Sequence, residues 1–479
     1  MKNVMRTTFF LIACLLILHP LNSKAAGLPA DSSLSAEIKS QLQIDAVLQN
    51  LYYPKSVARL YAANAFRASW IKPQPGDGPA WQALLMIDCV LQFGLSHADY
   101  HPDELTYTKM HDMLDTPGKV SPALEARYDI LLTDAILNLM NNLHYGKLNP
   151  NFPASRIDAQ LGAKFQAEEV LAAGLGQKDL LSVIAAAQPT DKLYRSMQRR
   201  MHMLEGQLQG DCYEIPEAEV RKLAINMERL RWVNTGDSVY LQINIPSYTL
   251  IYRTQDSAYR FKVVVGKPET PTPTLVSALK YMTTAPEWKV PAKIFAKELL
   301  PKARKDTAYL ENNHFAIYDR KGNFVQPTPA NLALVSKTPA VYFARQSAGC
   351  DNALGLLVFR FANAYDIYLH DTPEQGLFKR KERAFSHGCI RVEQAEKLGS
   401  LLLRRDNNAA RIGLLHRDIT TYTRQDFVLK KPVTIKITYL TCMMKDGELL
   451  DFGDPYQLDH NLEMAMYGVD LPLTTGLKK

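Results

Sequence analysis

Ile367-Tyr368-Leu369-His370-Asp371-Thr372-Pro373 and, a little further on, Ser386-His387-Gly388-Cys389-Ile390-Arg391-Val392 are the two stretches on which the reading of this chain turns. Residues of alternating character make the first a strand that delivers His370 to its end, and a second strand follows Cys389. His370 lies nineteen residues before Cys389, the separation expected of two neighbouring strands joined by a loop. Cysteine reacts as the thiolate, so a nucleophilic thiol needs a base or cation beside it. His370 is the candidate base and Cys389 the candidate nucleophile. Gly388 would let a substrate backbone come close, and the amides around Gly388 and Cys389 would face an oxyanion. Spacing alone leaves a plainer reading open, in which Cys389 is a buried structural cysteine and His387 a hydrogen-bonding one.

Working outward, the texture changes at Asp237. Val239–Ile245, Tyr248–Tyr252 and Arg260–Gly266 are β-branched and aromatic runs separated by turn residues, which predicts consecutive antiparallel strands. Further strands are expected at Leu356–Phe361, Tyr365–Leu369 and Val433–Tyr439, with a short helix carrying Ala395, Leu398, Leu401 and Leu402 on one face. The proline-rich stretch 285–344 reads as an insertion lying over the β core, a common form of lid. Upstream, 27–187 reads as helical. After Ser121-Pro122, apolar side chains at Leu124, Tyr128, Leu131, Leu132, Ala135, Leu139 and Leu143 mark one face of a helix with Ser121 as cap and Gly146 as stop. Residues 188–236 read as a connector, 237–440 as the β domain and 441–479 as a C-terminal tail. The expected class is α+β multidomain, a helical N-terminal scaffold followed by a mainly β domain with a capping insertion.

Lys2 and Arg6 precede the apolar run Phe9–Leu18, and small residues at Ala25-Ala26-Gly27 follow, so 1–26 reads as a secretory signal too short to span a membrane. No later stretch reaches spanning length. Beyond that signal stand Cys89, Cys212, Cys350, Cys389 and Cys442. The odd number means at least one thiol stays free or pairs between chains, and no CxxC pair points to zinc. No cofactor or metal is expected. A formal charge of +7 is spread over the chain without a nucleic-acid-binding arm, and would suit an anionic polymer such as a carboxylate-rich cell wall.

His370 with Ser386-His387-Gly388-Cys389-Ile390-Arg391 resembles the motif of the L,D-transpeptidase (YkuD) catalytic domain. Arg345–Gly355, Pro286–Pro291, Lys297–Pro301 and His370–Phe378 resemble its YcbB-like branch, and Leu131–Ala135 with Tyr145–Pro150 resemble that branch's helical scaffold domain. The resemblance implies an exported, periplasmic, wall-associated enzyme. By it, the Cys389 thiolate attacks the third residue of a peptidoglycan stem tetrapeptide, releases the terminal D-alanine and leaves a thioester. An acceptor amine from a neighbouring stem resolves it as a 3-3 cross-link. Gly388, His387 and Ser386 then belong to the oxyanion turn, Tyr368, Asn352 and Arg391 shape or bind, and Trp288 sits in a cap over the site. Asp371, Ser386 or a backbone carbonyl is left to orient His370. Three departures stand out. The connector is too short for the small peptidoglycan-binding domain that relatives carry there, Ala348 stands where proline is common, and Cys350 is an extra thiol, read as packing. Hydrolysis of the same thioester, as a carboxypeptidase or endopeptidase, and a non-catalytic wall-binding scaffold are the alternatives. A papain-like protease is disfavoured because its cysteine precedes its histidine.

Overall fold

The computed structural model describes residues 32–72, 78–116, 118–205 and 218–467; the expected signal segment and Cys212 lie outside them. Among the described residues no helix is long and apolar enough to cross a membrane.

The helical part is built around Pro122–Tyr145. Proline occupies the first turn, where its missing N–H costs nothing. Ser121 holds the cap position, but its hydroxyl makes no capping hydrogen bond. Leu124 is exposed, whereas nearly every later position is buried, polar ones included. The helix is a central pillar, and its buried carboxylates satisfy main-chain donors of the surrounding loops. Asp129 accepts from the amides of Ser69 (2.8 Å), Trp70 (2.8 Å) and Ile71 (2.9 Å) and from the Tyr61 hydroxyl (2.5 Å). Asp134 accepts from the amides of Tyr52 and Tyr53 and pairs with His101. Asp158 does the same for Lys55 and Ser56, capping the helix Pro54–Ala63 from outside it. Gly146 ends the pillar at φ +92°. A Cβ there would stand 2.7 Å from Glu228 and 2.8 Å from Trp232, so glycine is required twice over.

The connector and the expected tail make one further packed body. Helices Lys192–Glu205 and Ala218–Trp232 share a core with Leu440, Cys442 and Met466. Arg221–Glu463, Lys222–Asp451 and Arg229–Asp459 pairs hold the C-terminal segment down. Residues 442–467 are therefore structured rather than a loose tail. Arg231 and Glu228, both fully buried, pair at 3.3 Å, and Arg231 also donates to the Phe93 carbonyl, which ties this body to the scaffold.

The β domain starts with β1 (Tyr240–Asn244), β2 (Thr249–Arg253), β3 (Ala258–Gly266) and β4 (Leu275–Thr284). A capping sheet of β5 (Trp288–Lys289), β6 (Phe315–Asp319), β7 (Phe324–Val325) and β8 (Tyr342–Gln346) intervenes. It carries its own apolar core of Phe295, Leu299, Leu310, Leu332 and Val335. The main sheet resumes with β9 (Leu357–Phe361), β10 (Leu369–His370), β11 (Ala384–Ser386), β12 (Ile390–Val392) and β13 (Asp426–Thr438). A hairpin of β14 (Cys442–Lys445) and β15 (Glu448–Asp451) follows in the C-terminal segment. The main sheet runs β11-β3-β12-β10-β9-β4-β13-β1-β2, and β2 also pairs with β3, so eight strands close into a barrel. Leu241, Ile243, Val263, Phe359, Leu369, Ile390, Ile435 and Ile437 fill the inside, together with Leu398, Leu402 and Leu415 of the two helices after β12. The expected strand Tyr365–Leu369 is shorter than read. Asp366 turns to φ +53° and only Leu369–His370 pairs.

Candidate active site

β10 and β12 are parallel neighbours, with Leu369 opposite Ile390 and His370 opposite Arg391. Leu369 and Ile390 point into the barrel core, so strand alternation turns Tyr368, His370, Cys389 and Arg391 outward together. On the other side of β10, β9 places Phe359 opposite Leu369, which brings Arg360 to the same outer face beside Tyr368. The result is a row Arg360–Tyr368–Cys389 and, one step along, a row Val358–His370–Arg391. His370 and Cys389 are diagonal neighbours, at the roughly 7–8 Å Cα spacing of such pairs, which an imidazole can bridge.

The turn carrying the thiol is fixed by its own motif. The Ser386 hydroxyl donates to the Cys389 carbonyl (2.5 Å) and accepts from the Gly388 amide (3.0 Å). Gly388 sits at φ +117°, a conformation reserved for glycine; the space around it is ordinary. Because the Gly388 amide is spent on Ser386, it does not face an oxyanion as expected, and the Cys389 amide is left as the donor. Thr272 braces the turn by donating to the Gly388 carbonyl (2.8 Å), and Tyr456, from the C-terminal segment, donates to the Gly266 carbonyl (2.5 Å). Neither residue carries a local sequence signal; both are long-range contacts.

His370 is 4 % exposed. Its Nδ1–H donates to the Asp371 carbonyl at 2.6 Å, which makes Nε2 the unprotonated nitrogen of the neutral ring, and the Leu354 main chain is a second polar neighbour of the imidazole. Of the three groups left open as its orienting partner, the main-chain carbonyl fills the role. The Asp371 carboxylate accepts instead from the Leu356 amide. Burial, helped by the Arg391 charge, pushes the imidazole down to about 3 against its main-chain acceptors. Burial also pushes the Cys389 thiol up, offset in part by the Tyr368 main chain and hydroxyl and by Arg360 and Arg391. The resting site therefore holds a neutral thiol and a neutral imidazole, and no hydrogen bond joins them. The thiol's polar neighbour is Tyr368, whose ring meets His370 edge-on at 5.7 Å between centroids.

That electrostatic state has a measurable consequence. Iodoacetamide labelling of Cys389, followed by mass spectrometry with exposed Cys350 as internal reference, is expected to rise about tenfold per pH unit from near neutral to about pH 9. A folded pKa above the ordinary thiol value means the thiolate fraction grows only as pH climbs. A rate already on a plateau between about pH 5 and 7 would instead reveal a thiolate–imidazolium pair.

The remaining expected site residues divide. The Trp288 indole at the start of the capping sheet lies against the Tyr368 hydroxyl, so the cap reaches the site. His387 turns away from the thiol and pairs with Glu298 of the cap at 2.6 Å. Arg391 pairs with Glu374. Asn352, expected to shape or bind, has its side chain turned to its own loop. It is fully buried, and its side chain is used by the Ser347 carbonyl (2.7 Å) and the Leu354 amide (2.8 Å), which shape the loop before β9. Cys350 is exposed rather than packed and lies beside Tyr422. Arg360 was not anticipated. Its guanidinium stacks over Tyr368 at 5.5 Å and has no carboxylate partner among the described residues; the alternation Leu357-Val358-Phe359-Arg360-Phe361 was the signal that could have found it.

The sequence comparisons agree with this layout. Residues 238–412 match the L,D-transpeptidase catalytic domain (YkuD), and residues 55–201 match a scaffold domain. A Haemophilus influenzae protein that carries the provisional name L,D-transpeptidase is 28% identical over 441 residues, covering 88% of this chain and 81% of that protein. The barrel with its outward Cys–His face, set behind a helical scaffold, is thus an L,D-transpeptidase (YkuD) catalytic domain joined to a scaffold domain.

Proposed function

We propose that this protein is an exported, periplasmic enzyme that forms 3-3 cross-links between peptidoglycan stems through a Cys389 thioester. The observation that carries the reading is the shared outward face of β9, β10 and β12, which gathers a thiol, a neutral imidazole and two guanidinium groups under a cap. His370 Nε2 takes the thiol proton as the sulfur bonds to the carbonyl carbon of the donor stem's third residue, the Cys389 amide facing the oxyanion. Collapse breaks the C–N bond to D-alanine, whose amine leaves with that proton. An acceptor amine then attacks the thioester, gives its proton to His370, and the thiol is restored. The resting separation of the two groups is no obstacle, because catalytic hydrogen bonds often tighten only when substrate is bound. Arg360, with no acid partner among the described residues, suits a stem carboxylate. The cap, touching Tyr368 through Trp288 and His387 through Glu298, would favour an amine over water at the thioester.

Incubation of the protein lacking its signal segment with disaccharide-tetrapeptide is expected to give a cross-linked dimer and an equivalent of D-alanine. Tripeptide without dimer would make it a hydrolase, and binding to sacculi with no turnover would reduce it to a scaffold.

A further inference from the structure

On the far side of the barrel from Cys389 lies a cleft of about 320 Å³, lined by β1, β2 and β13 and roofed by residues 189–194 and 230–238. The barrel order β3-β12-β10-β9-β4-β13-β1-β2 sets the β10–β12 pair diametrically opposite the β13–β1 pair, so the two sites are separate. Alternation that sends Leu241, Ile243, Ile435 and Ile437 into the core turns Tyr240, Gln242 and Lys436 outward into this cleft. Tyr240 lies opposite both Thr434 and Arg253, and Gln242 opposite Lys436.

Lys436 is 6 % exposed and Gln242 9 %, and among the described residues neither side chain makes a hydrogen bond. The Lys436 ammonium rests over the Tyr240 ring at 4.4 Å. The two acids of the cleft, Asp191 and Asp237, attract the Lys436 ammonium from a distance but spend hydrogen bonds elsewhere. Asp191 takes the Tyr240 hydroxyl (2.6 Å) and the Leu193 amide (2.8 Å), and Asp237 takes the Thr434 hydroxyl (2.7 Å). Half-buried Arg253, whose guanidinium also reaches the Tyr240 hydroxyl, and exposed Lys192 add two further cations. The stems of Lys436 and Gln242 are buried while their polar ends open onto the cleft, where a ligand or solvent must supply the partners. The cleft volume lies at the small end of ligand sites, suited to one or two residues of a peptide.

We propose that this cleft is a second ligand site that takes a carboxylate, with Lys436 and Arg253 on its oxygens and Gln242 beside it, and that its source is a peptidoglycan stem peptide. The stem as source rests on the wall-acting reading above; the carboxylate chemistry does not. Such a site would let the chain hold a strand of wall while Cys389 works on another part of it.

Hydrogen exchange on the Cys389→Ala protein tests both parts. Three probes are added in turn: disaccharide-tetrapeptide, the same molecule with its stem carboxylates amidated, and glutarate. The unmodified muropeptide is expected to slow exchange at residues 189–194 and 434–438, and the amidated one to leave them unchanged. Arg253→Ala, at a half-exposed strand end, and Lys436→Met should each weaken that protection by about tenfold or more in apparent Kd, the loss of one charged hydrogen bond. Arg253→Ala keeps the test valid should Lys436→Met not fold. Protection by glutarate alone would overturn the stem as source. Protection by none of the three, or equal protection by the amidated probe, would overturn the carboxylate site and leave a solvent-filled cleft. Dimer formation by the unmutated enzyme is read in its own assay, so failure of the transferase reading remains distinguishable.

Discussion

Cys389→Ala is expected to lower dimer formation by at least about 10⁴-fold, with the fold intact, because no other group on the outward face can form the acyl link. Cys389 is only partly buried and its turn is held by Ser386, Gly388 and Thr272, so losing the sulfur removes chemistry without disturbing the strand. His370→Gln should cost less, about 10² to 10⁴-fold, the usual worth of a positioned base. The two variants also differ in pH behaviour. With a neutral thiol and a neutral imidazole at rest, the proposed mechanism depends on proton transfer to Nε2. The His370→Gln enzyme must wait for hydroxide to make thiolate, so its residual rate should keep rising well above neutral pH. Steady-state rates of D-alanine release across pH check both statements. Retention of more than a tenth of the rate in Cys389→Ala would remove this cysteine from the mechanism.

Asp129→Ala is expected to destabilise the scaffold by about 4 kcal/mol or more. The carboxylate is fully buried and accepts from three main-chain amides and a tyrosine hydroxyl. Each donor left buried and unpaired costs roughly 1–3 kcal/mol. A domain is stable by only about 5–15 kcal/mol, so the loss would take most of that margin. Asp129→Asn keeps one acceptor but turns an NH₂ group on the amides, and should lie between. Leu124→Ala on the same helix, at a position 56 % exposed, should change stability by no more than about 0.5 kcal/mol. Urea unfolding followed by circular dichroism provides the comparison. A loss under 1 kcal/mol for Asp129→Ala would mean that the loops find other acceptors.

Much of the catalytic domain was legible because its strands advertise themselves. Val239–Ile245, Tyr248–Tyr252 and Arg260–Gly266 are β-rich runs between turns, and they form β1, β2 and β3 in antiparallel order. β4 was missed. Leu275-Val276-Ser277-Ala278-Leu279-Lys280 has no clean alternation, since its burial is set by neighbours on both sides, β9 and β13. The pillar helix was found, but its apolar stripe understated it. Asp129, Asp134 and Asn138 lie off that stripe and are buried as well, because polar groups go inside when main-chain groups from elsewhere meet them. The C-terminal segment was read as a tail for the same reason: its partners lie more than two hundred residues away.

The sequence by itself determined the thiol, the imidazole, the glycine at the turn and the strand each stands on, since those are local choices of residue type and period. Tertiary structure decided which groups share a face with them: Arg360 and Tyr368 beside the sulfur, the Asp371 carbonyl rather than a carboxylate on the imidazole, Asn352 withdrawn into its loop, and Thr272 and Tyr456 behind the turn. Those relations depend on strand register and on contacts between distant segments. They are set by the closure of the barrel, which no single stretch of the chain encodes.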